Sequence, residues 1–439
     1  MDDLEIKIAI TYKVPKINLT LNGLLRGLDR DRDAIMRAVV GKIFEALEEK
    51  LQEDYPPEQY VWNGHQSSAR RLLTSFGEVR YSLAQVTERK TGKSINPLVV
   101  KLKIPAYRQY PGEALEAPLG QAIHLSYRLA AKETKRIRGS GPGKSTLWSR
   151  MQEMAVATAW PSMTSIPFEF LLVDGTSVKK QGEGGRSDGR MEFRWAWASE
   201  KPGKPFQLVG FWLAQDWKAI REDLEKRLDY GRLRMLLADG EMGVPEALLT
   251  DRMEFQRCVW HGLHDFRYNL FQDGIKGSAQ EPYREGMRSN PLFHLKQVNL
   301  EKLTTTDEPV VRKLVETIER GFEDLLAALP PEKYPKTRTY VENFLGAGLT
   351  FFKYWLDHHE WPPFTTNVAE SGFSRIVNRI KRVGRRWGDT GLSNWLMLAV
   401  RKIFDPAEWT NLWQQYFQLH CRLRLQTLHV DYRWILCIT

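Results

Sequence analysis

Hydrophobic positions between Asp31 and Glu53 recur at helical spacing, through Ile35, Val39, Ile43, Leu47 and Leu51, and predict an amphipathic helix. From Arg71 to Leu83 the pattern shortens and is broken at Gly77, which reads as a strand, a glycine turn and a second strand. Pro105 and Pro111 mark a loop. Two helical stretches follow, Gly120 to Ile137 and Lys144 to Ala157, joined by a glycine-rich turn. This is the plan of a helix-turn-helix, and an ordinary helical hairpin shares it. Ser145 and Thr146 are placed to cap the second helix, and Trp148 and Met151 to face a core.

From Pro167 the rhythm becomes that of strands. The run Phe168 to Val173 ends at Asp174, and two aromatic-rich strands follow, Glu192 to Ala198 and Phe206 to Ala214. A charged helix, Asp216 to Leu228, leads to the run Met235 to Ala238, which ends at Asp239; after a further helix comes a strand from Glu254 to Trp260. Three strands in a row and then alternating helix and strand predict an α/β mixed sheet with the element order of an RNase H-like core, its first and fourth strands side by side. Residues 262–361 read as an all-helical insertion, clearest from Pro309 to Leu329.

The expected division is therefore a mixed N-terminal region (1–110), a helix-turn-helix (111–165), the first part of the α/β core (166–261), the insertion (262–361), the last part of the core (362–404) and a C-terminal tail (405–439). The tail is aromatic-rich and reads as helical to about Leu425, with no assigned role.

A chain of 439 residues exceeds one ordinary core, which agrees with several domains. No uninterrupted apolar run is long enough to span a bilayer, and Met1 to Glu5 lacks the basic-then-apolar plan of a signal peptide. Three cysteines, Cys258, Cys421 and Cys437, make no disulfide framework, so a reducing, cytoplasmic setting is expected. The formal charge of +10 is clustered: seven Lys/Arg against the single acid Glu133 between Arg128 and Arg150, and six with no acid between Arg375 and Arg386. Clustering of this kind favours a nucleic acid partner.

Gly139 to Thr146 looks like a phosphate-binding P-loop but is not one. Arg138 occupies the position of the first required glycine, and the loop follows a helix where the motif needs a strand.

The chemistry is carried by acids. Asp174 and Asp239 each follow an apolar run and precede a glycine expected to end the strand; Glu370 lies in Thr365–Ser371, at the start of an arginine-rich helix. Carboxylates gathered from two strand ends and a helix can hold two Mg²⁺ ions, with Mn²⁺ as a substitute, and act on phosphodiesters. Asp174 would bridge both ions, with Asp239 and Glu370 each completing one site. On a helical wheel Arg375, Arg379, Arg382 and Arg386 fall within about 60° of one another. Ala369, Phe373, Ile376, Val377, Ile380 and Val383 lie opposite, and Glu370 at the edge of the apolar face. The arginine stripe, with Lys144 and Arg150 of the second predicted helix, suits contacts to DNA phosphates.

Val173–Thr176, Ala238–Glu241 and Thr366–Ser371 resemble the three acidic motifs of bacterial insertion-sequence DDE transposases of the Mutator-like class. Cys258-Val259-Trp260-His261 is similar to the Cys-x-x-His that follows the second acid in that class, which also commonly carries a helical insertion before the glutamate. Arg385-Arg386-Trp387 and Gly391 to Leu396 resemble the end of the catalytic region in related enzymes. The resemblance covers roughly residues 168–404. It implies catalysis by Asp174, Asp239 and Glu370 of Mg²⁺-dependent cleavage at the ends of a mobile element, then attack of the released 3′-hydroxyl on target DNA. It further implies double-stranded DNA as partner, both as terminal repeats and as target, and synapsis by at least a dimer. A nuclease of the same fold without strand transfer, or a DNA-binding protein that has lost catalysis, are the alternatives.

Cys258 and His261 are too few ligands for structural zinc, even with His264 as a third and His358 or His359 as remote additions. The expected role is non-metal, with Cys258 packed near the sheet and His261 near the carboxylates or DNA. Trp355 and Trp361 are candidates to stack on an unpaired base, core packing being the common fate of tryptophan.

Overall fold

A computed structural model describes residues 8, 20–104, 109–158, 160, 162–183, 186–241, 243–297, 300–382 and 387–417. The chain forms two compact units, 1–156 with 397–439, and 157–396.

In the first unit helix α1 runs from Leu21 to Leu51, ten residues earlier than its periodicity predicts. Thr20 caps it by accepting from Gly23 N–H at 3.0 Å, and its opening residues Leu21 and Leu25 are exposed, so no buried stripe announces them. Five strands follow: β1 (Tyr60–His65), β2 (Arg70–Thr74), β3 (Gly77–Tyr81), β4 (Ala84–Glu88) and β5 (Ser94–Ile95). β2 and β3 are the predicted strand pair, turning at Ser75-Phe76. β1, β4 and β5, which periodicity missed, make a separate antiparallel sheet. Phe44, Leu47 and Leu51 of α1 pack with Tyr81, Leu83 and Leu98. Buried Glu48 ties the helix to the strands, accepting from Ala84 N–H at 2.9 Å.

After a short helix α2 (Pro97–Lys101) come three mutually packed helices, α3 (Gly112–His124), α4 (Tyr127–Arg138) and α5 (Lys144–Val156). The single helix expected over 120–137 is thus two, because Ser126 adopts an extended conformation and caps α4 through Leu129 N–H at 3.1 Å. Met151 is fully buried as expected, whereas Trp148 is 53% exposed. The turn after α4 bends at Gly139, whose φ of 72° suits glycine and joins helix to helix.

The second unit is built on five strands: β6 (Phe170–Gln181), β7 (Ser187–Ser199), β8 (Gln207–Leu213), β9 (Met235–Ala238) and β10 (Glu254–Arg257). Their order is β10-β9-β6-β7-β8. β6, β7 and β8 pair antiparallel, and β9 and β10 run parallel to β6. The expected adjacency of the Asp174 and Asp239 strands is present: Leu172 lies opposite Leu237, a register that sets Asp174 against Asp239 two residues on. Two boundaries differ from expectation. β6 continues through Gly175 to Gln181, so Asp174 is inside a strand, and β10 stops at Arg257, so His261 lies on a helix.

Alternation divides the sheet residues between two layers. Leu171, Val173, Ala196 and Ala198 face helices α6 (Trp217–Arg227) and α7 (Gly243–Leu248), packing with Ile220, Leu224, Val244 and Leu248. Phe193, Trp195 and Trp197 face the other way. After the last strand the chain forms helices α8 (Val259–Gln272), α9 (Glu281–Arg288), α10 (Glu308–Ala327), α11 (Pro335–Gly348) and α12 (Thr350–His358). They bury a core of their own around Phe266, Ile318, Phe322, Phe344 and Phe351. Gln256 anchors this bundle to β10, its buried amide donating to Gly348 C=O at 3.0 Å and accepting from Phe351 N–H at 2.7 Å.

Helix α13 (Asn367–Val377) then lies on the Trp195 face, with Phe373 against that ring at 4.5 Å. Gly372 permits the contact, since a Cβ there would stand 2.8 Å from Trp197. A π-helical turn, Asn378–Arg382, continues α13. Helices α14 (Asp389–Phe404) and α15 (Pro406–Phe417) close the described chain; the tail expected to be helical to Leu425, with Cys421 and Cys437, lies partly outside the described residues.

Candidate active site

Three elements bring the acids together. The even-numbered residues of β6 project Asp174 from the face that carries α13, Asp239 follows the last residue of the neighbouring β9, and Glu370 stands in the first turn of α13. The expectation that each following glycine ends its strand holds at one position only. Gly240 turns the chain with φ 110°, and Asp239 Oδ1 accepts from Glu241 N–H at 3.1 Å. Gly175 instead stays in the ladder opposite Arg194, and its N–H donates to Asp174 Oδ1 at 2.7 Å.

Asp174 is buried, 9% exposed. Burial, then the charges of Asp239 and Glu370, push its carboxyl up to about 7, against the opposing pull of Gly175 N–H and His261. The acids are therefore near enough to feel one another's charge. Glu370 Oε1 is a buried acceptor with no hydrogen bond among the described residues, and it faces His261 Nε2 at 3.8 Å.

The Cys-x-x-His segment joins the two halves of this site. Cys258 N–H donates to Ala238 C=O, immediately before Asp239, at 2.7 Å. Its Sγ accepts from Thr366 N–H at 3.2 Å and from Thr366 Oγ1 at 3.3 Å. Thr366 in turn accepts the Glu370 N–H on its carbonyl at 3.1 Å. One fully buried thiol thus fixes the chain entering the glutamate helix to the strand carrying the second aspartate. Burial raises the thiol, but donors from His261 and Thr366 hold it below the usual cysteine range. His261 stands in the first turn of α8. Burial lowers its imidazole, yet Cys258 and the charges of Asp239 and Asp265 bring it up to about 9, so at neutral pH it is a cation beside the carboxylates.

Cys258 thus packs beside the sheet, and His261 stands near the carboxylates. His264 is exposed and bonded to Asp265, while His358 and His359 pack on Tyr354 and Trp355. Cys258→Ala is expected to lower stability by about 1–2 kcal/mol through loss of two donors' acceptor, and to loosen Glu370. Cys258→Ser, which keeps an acceptor, should recover part of both, as thermal melts and DNA cleavage would show.

The arginine stripe survives in part. Arg375 is exposed. Arg379 is 6% exposed, its guanidinium 4.7 Å from the Trp387 ring and 5.6 Å from Trp395. The wheel failed because the π turn begins at Asn378 and shifts the phase of every later residue. Arg382 is placed there in its backbone alone, and Arg386 lies outside the described residues. Trp387 itself is buried and bonds to the end of β6, accepting from Gln181 N–H at 2.9 Å. In the first unit, Lys144 is exposed, while Arg150 is half-covered and paired with Glu153.

Lys381 is the residue that sequence reasoning missed. The same π turn carries its Nζ to Thr176 Oγ1, two positions beyond Asp174 on the same strand face. Burial, then Arg190, lower this ammonium, and Asp174 opposes them. Reading the sequence with a π phase would have separated it from the arginines, but nothing in the residues announces a π turn.

Trp355 is fully buried and stacked on Trp361 at 5.1 Å, which removes it as a base-stacking candidate.

The donor set is anionic oxygen from three elements, with one buried carboxylate oxygen lacking a hydrogen bond among the described residues, and such a set fits a hard divalent cation. Among the described residues, no three His, Cys, Asp or Glu side chains already converge in metal-ligand geometry. No helix among them is long and apolar enough to cross a membrane.

No family model matches the chain, and no curated protein does. Among solved structures, the Drosophila P element transposase strand transfer complex is similar, with 8% identity and a TM-score of 0.36, over 70% of this chain and 96% of that chain.

Proposed function

We propose that this chain is a DNA transposase whose catalytic unit is RNase H-like and whose Asp174, Asp239 and Glu370 cut and join DNA. The observation that carries the proposal is the gathering of these three acids from adjacent strands and a packed helix, where burial, and then the charges of Asp239 and Glu370, push Asp174 up to about 7. The motif resemblance to Mutator-like insertion-sequence enzymes supports the same residues. Asp174, Asp239 and Glu370 would hold two Mg²⁺ ions, which supply activation of the attacking oxygen and stabilisation of the leaving one. The chain's own contribution is to orient: the ladder fixes Asp174, Gly240 turns Asp239 in, and Cys258 with Thr366 sets the glutamate helix. His261 balances part of the acidic charge.

The reading extends to double-stranded DNA as partner, with α4 and α5 as a helix-turn-helix for element ends and Lys144 and Arg375 on phosphates. It also includes a dimer or larger assembly on DNA in a bacterial cytoplasm.

Joining of a pre-cut end bearing a 3′-hydroxyl to a supercoiled plasmid tests it. Mg²⁺-dependent joined product is expected, with end binding that weakens steeply as salt rises. Cutting without joining would leave a nuclease; binding with neither would leave a DNA-binding protein. A flat salt response would count against phosphate contacts by the basic clusters.

A further inference from the structure

Beside the acids lies a cleft of about 890 Å³ that the triad does not use. Its lining is apolar, and the aromatic rings Phe206, Trp260, Phe293, Trp361 and Phe364 stand among leucines and prolines. Trp361 is a rigid platform, because its ring is stacked on fully buried Trp355. Trp260 is 53% exposed, an unusual position for a tryptophan beside a cavity with room to bury it. Two lysines, Lys201 and Lys204, stand on the rim in the turn between β7 and β8, and among the described residues no acid lines the cleft. Asn367 and Val368 also line it, and they share the first turn of α13 with Glu370. Trp260 is next to His261, which faces that glutamate at 3.8 Å.

Flat aromatic rings, cationic rim and proximity to the acids define one kind of occupant. We infer that this cleft receives an unstacked nucleobase of the DNA strand being processed, stacked on Trp260 with its flanking phosphates on Lys201 and Lys204. The inference deepens the DNA-processing reading and rests on it. Stacking of this kind tolerates any base, since each has a π face, while the lysines read only charge. The volume exceeds one base, so the flanking sugar is accommodated as well. A peptide segment from a second copy is the competing occupant of an apolar cleft, and it would show no preference between a base and its absence.

The test uses the full chain and two short probes, a thymidine tetranucleotide and the matching tetramer of abasic sites with the same phosphates. Their affinities are measured by anisotropy at fixed salt. The tetranucleotide is expected to bind about tenfold more tightly than the abasic probe. Trp260→Ala, which removes a half-exposed ring, should erase that difference while leaving abasic binding unchanged. Lys201→Ala with Lys204→Ala should weaken both probes equally. Equal binding of the two probes by wild type, or a difference that persists in Trp260→Ala, would overturn the inference. Neither result needs the acids to cut DNA. A chain that discriminates the probes but never cleaves keeps the cleft and loses the transposase reading; one that cleaves without discriminating does the reverse.

Discussion

Asp174→Asn is expected to abolish DNA cutting and, in the same protein, to raise stability at pH 8 in the absence of divalent metal. The opposite signs come from one cause. In the folded chain burial and the neighbouring acids push Asp174 up to about 7, from the 3.8 usual for an aspartate. Between those two values the folded state holds a proton that the unfolded state has released. Stability must therefore fall as pH rises through that window and stay low above it. Asparagine carries no charge, so the variant escapes the fall. A shift of this size corresponds to roughly 4 kcal/mol, which for a unit of this length is about 10–15 °C in Tm at pH 8. At pH 4 the two proteins should melt together. Cutting, by contrast, needs the charge, and loss of several kcal/mol of metal-dependent stabilisation lowers the rate at least about a thousandfold. Thermal melts from pH 4 to 8 check the first part. Equal melting at pH 8 would mean that Asp174 is not held against its neighbours' charge.

Gly240→Ala is the substitution expected to cost the fold most. Gly240 has φ 110°, a conformation that side chains resist, and a Cβ there would lie 2.3 Å from Arg257 Nε. Arg257 has little room to move, because it is buried and its guanidinium lies 4.6 Å from the Tyr340 ring. Backbone strain of about 1–3 kcal/mol adds to overpacking of about 1–3 kcal/mol. Together they should lower Tm by roughly 10 °C and displace Asp239, with loss of cutting. In Gly240→Ala/Arg257→Ala the clash is gone but the strain remains, so the double variant should lose less than the sum of the singles. A melt of Gly240→Ala within a degree or two of wild type would show that the turn after Asp239 does not need glycine.

Much of the second unit was legible because its signals are local. The runs ending at Asp174 and Asp239 are strands, and they are neighbours as the element order required. The helix near Pro309 begins at Glu308. What escaped had non-local causes. Strands β1, β4 and β5 are short and partly exposed, so they leave little alternation to read. The break at Ser126 is a cap inside an otherwise helical pattern. Arg379 looked like a surface residue because its neutralising environment, Trp387 and Trp395, is supplied by later sequence folding back. Lys381 reaches Thr176 only through the π turn. The strands that carry Asp174 and Asp239 were legible as neighbours, but the bond from Thr366 to Cys258 spans 108 positions and has no sequence signature beyond the Cys-x-x-His itself.

The central claim is that Asp174, Asp239 and Glu370 act as one metal-dependent site on DNA. The most direct measurement is Mg²⁺-dependent cleavage of labelled element-end DNA by wild type, Asp174→Asn, Asp239→Asn and Glu370→Gln, with end binding measured in parallel. Wild type is expected to cut, and each variant to bind normally and fail to cut. Cutting at the wild-type rate by any one of the three variants would contradict the account.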